Sequence, residues 1–188
     1  MEMPGMSKER LDNLIEHVKA TAMKHREEKG FSHNLAPLAI CIGPNGEQAT
    51  VPTPFKDLSQ KAAMMKALSK TARASNVIAI ILIGDTFTMS RKKFNEHYKV
   101  PENLTNDEWI DLYISIVKDT GGNIANLPKE LLTDAILVSV KGPAVREVAY
   151  FLPYHEGVGD SVRWDEPYPP DYTEIFLLDD WWDAVTVH

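Results

Sequence analysis

Asp85 and Thr86 directly follow Val77–Gly84, a run of seven apolar residues closed by a glycine. A carboxylate there can act as a general base or take a hard cation, provided that folding brings it partners. The residues able to join it are His97, Asp134, His155 and Glu156. His155-Glu156 is followed by Gly157 and Gly159, and the stretch 153–160 reads as a loop whose backbone freedom can present side chains to a ligand. Asp85 with a loop histidine would make a small hydrolase-like enzyme, metal-assisted or not, with its site at the exit of the central strand. The plainer reading makes Asp85 a cap that bonds backbone amides where the strand leaves the sheet, and His155-Glu156 a turn.

Stronger signatures are missing. Histidines stand at 17, 25, 33, 97, 155 and 188, and no two of them are spaced to place imidazoles on one side of a helix or strand. A metal ligand set therefore stays unassigned. There is no G-x-S-x-G elbow and no G-x-G-x-x-G behind a strand, so no cofactor is evident. Cys41 is the only cysteine, which rules out an intramolecular disulfide and a multi-cysteine zinc site. Set among Ala39, Ile40 and Ile42, it reads as a small core hydrophobe.

The elements that must position these residues are partly legible. Ser7 caps a first helix with Leu11, Leu14, Ile15, Val18 and Ala22 at helical spacing, and the charged residues are expected on its other face. Leu38–Ile42 and Gln48–Val51 form a hairpin around Gly43-Pro44-Asn45-Gly46, whose Asn-Gly pair tolerates positive φ. That loop lacks the G-K-[ST] continuation of a phosphate loop. A second helix with Leu58, Ala62, Met65, Leu68 and Ala72 on one face leads into the run at Val77. The run should be covered on both faces and so lie at the centre. Phe87–Val100 is mixed and has no clear pattern.

Thr105-x-x-Glu108 is a capping box, with Leu104 and Trp109 at the staple positions. The helix behind it, over 105–119, has an apolar surface wider than one stripe and suits either burial or a partner. Ala135–Val140, Arg146–Leu152 and Ser161–Trp164 read as an antiparallel meander. As an order of elements alone, this succession resembles the roadblock/longin and profilin-like arrangements. No motif accompanies it, so it implies no activity.

Behind Trp164, three prolines (Pro167, Pro169 and Pro170) are expected to keep the chain extended as far as Tyr172. Phe176, Trp181 and Trp182 then mix large apolar groups with acids, and with Trp109 they are the interaction candidates.

The bulk numbers set limits. A chain of 188 residues, 44% hydrophobic and 25% charged, suits one folded domain. Its net charge of −7 makes nucleic acid a poor partner, with only Arg91-Lys92-Lys93 as a local basic run. The start of the chain has no apolar signal region, and the longest apolar run is about eight residues, against roughly 20 for a membrane span. A cytoplasmic, soluble protein is expected, with no membrane role.

The sequence therefore predicts an α+β fold: a mostly antiparallel or mixed sheet of roughly five to seven strands with helices packed on it and Val77–Ile83 central. Residues 1–165 form the domain, and 166–188 form a Pro-rich, aromatic-acidic tail packed on the body or on a second subunit. The expected function is a non-catalytic binding or assembly module acting as a homo-oligomer, with a protein partner possible. The hydrolase-like enzyme is the alternative.

Overall fold

The computed structural model describes residues 7–54, 58–122, 124–142 and 145–166. In chain order these form α1 (Lys8–Lys29), β1 (Leu38–Ile42), β2 (Gln48–Pro52), α2 (Leu58–Ala74), β3 (Ala79–Met89), α3 (Arg91–Tyr98), α4 (Asn106–Asp119), β4 (Leu132–Gly142), β5 (Val145–Glu156) and β6 (Val162–Trp164). The fold is α+β. Its six-stranded sheet has the order β2-β1-β3-β4-β5-β6, and every neighbouring pair is antiparallel. β2 and β6 are the edges.

Alternation along β3 divides the core in two. Ala79, Ile81 and Ile83 join Ile136, Val138, Val140 and Leu152 on the face that α1 covers with Leu11, Ile15, Val18 and Ala22. Ile80 and Leu82 turn the other way, to Ala39, Cys41 and the α2 residues Leu68 and Ala72. The apolar run is thus buried on both sides, as its composition predicts. Ile80 and Ile81 are 0% exposed, and burying each such side chain contributes roughly 1.5–3 kcal/mol.

A third cluster holds the helices at the far end of β3. Phe94, Val100, Trp109, Leu127 and Leu131 are buried together, and Met89 and Leu132 join them to the sheet. The capping box forms in both directions: Thr105 N–H donates to Glu108 Oε2 at 2.8 Å, and Glu108 N–H to Thr105 Oγ1 at 3.3 Å. Trp109 then lands against Phe94, with ring centroids 5.6 Å apart, and its indole N–H donates to Asn95 Oδ1 at 2.7 Å. Ile110, Leu112, Tyr113, Ile116 and Val117 pack partly buried against the same cluster, which accounts for much of the helix's wide apolar surface.

Three local expectations change. β3 does not end before Asp85 but runs to Met89, because β4 pairs with it throughout, Asp85 opposite Ile136. The segment behind it then forms α3, capped by Ser90 and closed by Lys99 in the left-handed region at φ 53°. His155 and Glu156 lie in β5, not in a loop. Pro153 lacks an amide proton, but its carbonyl accepts from Asp165 N–H at 3.0 Å, so the strand continues past it.

Candidate functional site

Asp85 is the best-connected carboxylate among the described residues. Its Oδ1 pairs with the Nη2 of Arg26, its Oδ2 accepts from Leu35 N–H at 2.5 Å, and the Tyr154 hydroxyl donates to Oδ1 at 3.4 Å. Arg26 reaches it from the last turn of α1. The guanidinium also donates to the carbonyls of Phe31 and His33 and lies over the Tyr154 ring, 4.8 Å from its centroid. Phe31 meets the same ring edge-on, with centroids 5.8 Å apart. One carboxylate therefore ties together α1, the connection to β1, β3 and β5.

The side chain of Arg26 is 2% exposed and that of Asp85 24%. Taking a guanidinium this far out of water requires an anion and further acceptors, and the site supplies both. Asp134, in β4, stands opposite Phe87 of β3 and Tyr154 of β5, on the same face. Burial, and then the negative charge of Asp85, push its carboxyl above the ordinary range. The same two causes, in the same order, hold the Tyr154 phenol protonated well beyond its usual value. This arrangement is an ionic lock with every oxygen of Asp85 engaged.

The other sequence candidates lie elsewhere. Tyr154 and His155 are neighbours in β5 and so point to opposite faces, which takes His155 away from Asp85. His155 Nε2 meets Asp165 Oδ2 at 2.7 Å in a half-exposed pair, and Glu156 is exposed opposite Val162. His97 is on α3, 3.8 Å from Glu130. The structure thus joins Asp85 with Arg26, Tyr154 and Asp134, and not with His97, His155 or Glu156. Among the described residues no group of three His, Cys, Asp or Glu side chains could hold a metal ion. Trp109 is 3% exposed inside the α3–α4 cluster. Phe176, Trp181 and Trp182 fall outside the described residues.

Arg26 was expected on the polar side of α1 and is instead buried. Its spacing could have revealed this, since Leu11, Ile15, Val18, Ala22 and Arg26 follow one another at helical intervals along a single stripe. A charge on an apolar stripe calls for a buried partner.

The second feature is a groove of about 320 Å³ between α2 and the β1–β2 hairpin, lined by Cys41, Ala49, Val51, Thr53, Met64, Ala67, Leu68 and Thr71. It exists because α2 settles on β1 and β3 through Leu68 and Ala72, while β2 lies one strand further out. Ala49 and Val51 stand opposite Cys41 and Ala39, so they share the α2 face, and alanines on both walls leave the space unfilled. Burial pushes the Cys41 thiol above its ordinary value, which keeps it a poor nucleophile. All five residues of β2 are exposed, and its outer edge pairs with no described strand.

No family model, no curated protein and no solved structure matches this chain. Among the described residues no helix is long and apolar enough to cross a membrane.

Proposed function

We propose that the chain is a binding module that takes an extended, acidic segment of another protein along β2, with an apolar side chain of that segment seated in the groove beside α2. The observation that carries this reading is the apolar groove next to an unpaired strand edge. Strand addition uses those two parts, backbone hydrogen bonds for affinity and pockets for alternate side chains for specificity. The charge of the partner follows from α2. The helix contains Lys61, Lys66, Lys70 and Arg73 and no acid, in a chain whose net charge is −7. Lys66 and Lys70 are exposed beside the lining residues Ala67 and Thr71. The hydrolase-like alternative has less behind it, because Asp85 is engaged in the lock and converges with no histidine.

Selection of displayed random nonapeptides on the full-length protein tests the proposal. The expected winners carry Asp or Glu around one bulky apolar residue. Ala67→Trp, which fills the groove from an exposed position, should weaken them at least roughly tenfold, about 1.4 kcal/mol. Lys70→Glu should weaken them in a salt-dependent way. Peptides that bind both variants as well as the parent protein would rule out the groove.

A second copy is the other occupant that a free edge can take, through antiparallel β2–β2 pairing about a twofold axis. It would bring two cationic α2 helices toward one another, so the acidic segment fits better. Light scattering separates the two. A mass of two chains that falls to 21.1 kDa in Val51→Lys would place the second copy at β2.

A further inference from the structure

The hydrogen bonds of the β1–β2 hairpin decide which backbone groups of β2 a partner meets. Gly43 N–H donates to the Glu47 carbonyl at 2.9 Å at one end, and Thr53 N–H to the Pro37 carbonyl at 2.8 Å at the other. Between them the register is unbroken, from Ile42 opposite Gln48 to Leu38 opposite Pro52. Bonded and unbonded pairs alternate along an antiparallel ladder, so Ala49 and Val51 direct their amides and carbonyls to β1. Gln48, Thr50 and Pro52 turn theirs outward. A proline fits there because its missing N–H removes no bond to β1. The outer edge therefore offers a donor and an acceptor at Gln48 and at Thr50, and an acceptor alone at Pro52.

We propose, resting on the β2 binding above, that the partner's acidic segment adds antiparallel, with its bulky apolar residue opposite Ala49 and an amide N–H on the residue to either side. Ala49 and Val51 line the groove and Gln48 and Thr50 do not, so a side chain turns toward it from a position opposite Ala49 or Val51. Opposite Ala49, the flanking residues of the segment pair with Thr50 and Gln48, and both pairs exchange two hydrogen bonds. Opposite Val51, they pair with Thr50 and Pro52, and the Pro52 pair keeps one bond in place of two. Pro52 thus selects between the two registers. Size selects the same way, since an alanine wall leaves more room for a bulky group than a valine wall. Orientation follows the sheet, whose neighbouring pairs are all antiparallel, the slightly more stable arrangement per residue. The flanking side chains turn to the other face, beside the exposed Gln48 and Thr50, so polar residues suit those positions and proline does not. The partner is recognised as a polar–apolar–polar triplet with free amides at both ends.

Backbone N-methylation of a selected nonapeptide, with affinity for the unaltered full-length protein read by fluorescence anisotropy, tests this. Methylation of the residue just before or just after the bulky one removes a donor to Thr50 or Gln48 and should weaken binding at least roughly tenfold. Methylation three residues before it, where the N–H meets the Pro52 carbonyl, should also weaken binding. Methylation of the bulky residue itself, or three residues after it, should leave affinity nearly unchanged. Sensitivity three residues after the bulky one, in place of three before, would put that residue opposite Val51 and overturn the register. Sensitivity at the bulky residue with both neighbours tolerant would mean parallel addition and overturn the orientation. A peptide that tolerates methylation everywhere yet is weakened by Ala67→Trp overturns strand addition while keeping the groove. Binding indifferent to Ala67→Trp, or no selected peptide at all, overturns the binding module and this register with it.

Discussion

Arg26 and Asp85 can be judged only as a pair. Breaking a buried ion pair from one side leaves the other charge without compensation, whereas replacing both can be close to neutral. Arg26→Ala should therefore cost about 3 kcal/mol in urea unfolding, and Arg26→Met combined with Asp85→Leu should recover a large part of it. Equal losses for the single and the double variant would show that the guanidinium acts through its contacts to the Phe31 and His33 carbonyls instead. Asp134 makes a pH-dependent prediction. Its carboxyl is raised in the folded state by burial and by Asp85. A raised carboxyl contributes stability that is complete below the unfolded pKa and is lost as pH rises through the folded one. Asn mimics the neutral form, so Asp134→Asn should stabilise the protein by about 0.5 kcal/mol at neutral pH, after allowance for solvent screening. That gain should vanish at pH values below the ordinary carboxylate range. A gain that persists there would point to packing.

The helices differ in how much of their stability is local. α4 starts from a reciprocal cap, so Thr105→Ala should cost about 1 kcal/mol in thermal or urea unfolding. Trp109→Ala should cost more, roughly 3–5 kcal/mol, because it empties the centre of the α3–α4 cluster and leaves Asn95 without its indole donor. α1 has weaker local signals, and its C-terminal end is held from outside. Phe31 N–H donates to the Asp160 carbonyl and Ser32 N–H to the Asp160 carboxylate, both at 2.8 Å, so the β5–β6 connection closes over the helix end. The cap, the staple and the apolar stripes of α1 and α4 could all be read from the chain. α3 could not, because its eight residues bury only Phe94 and show no periodicity.

At the scale of the molecule, the sheet has two different flanks. On one side of its centre, α1 and α2 cover opposite faces of β1 and β3. On the other, β4 and β5 carry α1 on one face, and beyond β1 the edge strand β2 pairs with no described strand. Binding along β2 answers the free edge and has its own variant. Ala67→Trp should weaken peptide binding at least roughly tenfold without changing the melting temperature by more than about 2 °C, since surface substitutions of this kind stay within roughly 0.5 kcal/mol. Loss of the fold in that variant would mean that α2 needs the empty groove.

By itself the sequence determined the fold class, the buried central strand, the first hairpin, the capping box and the meander. Each depends on side-chain periodicity or on caps between residues a few positions apart. It also placed Asp85 beside the apolar run, and so marked the right carboxylate. Its role was decided only in three dimensions. The partners of Asp85 are Arg26, 59 positions earlier, and Tyr154, 69 positions later. The alternation of β5 sends His155 to the opposite face. The groove likewise arises where α2 stops short of β2, a distance set by how helix and hairpin pack and by no residue near either of them in the chain. Long-range pairing chooses partners by geometry, and a one-residue step in a strand reverses which of two neighbours meets the site.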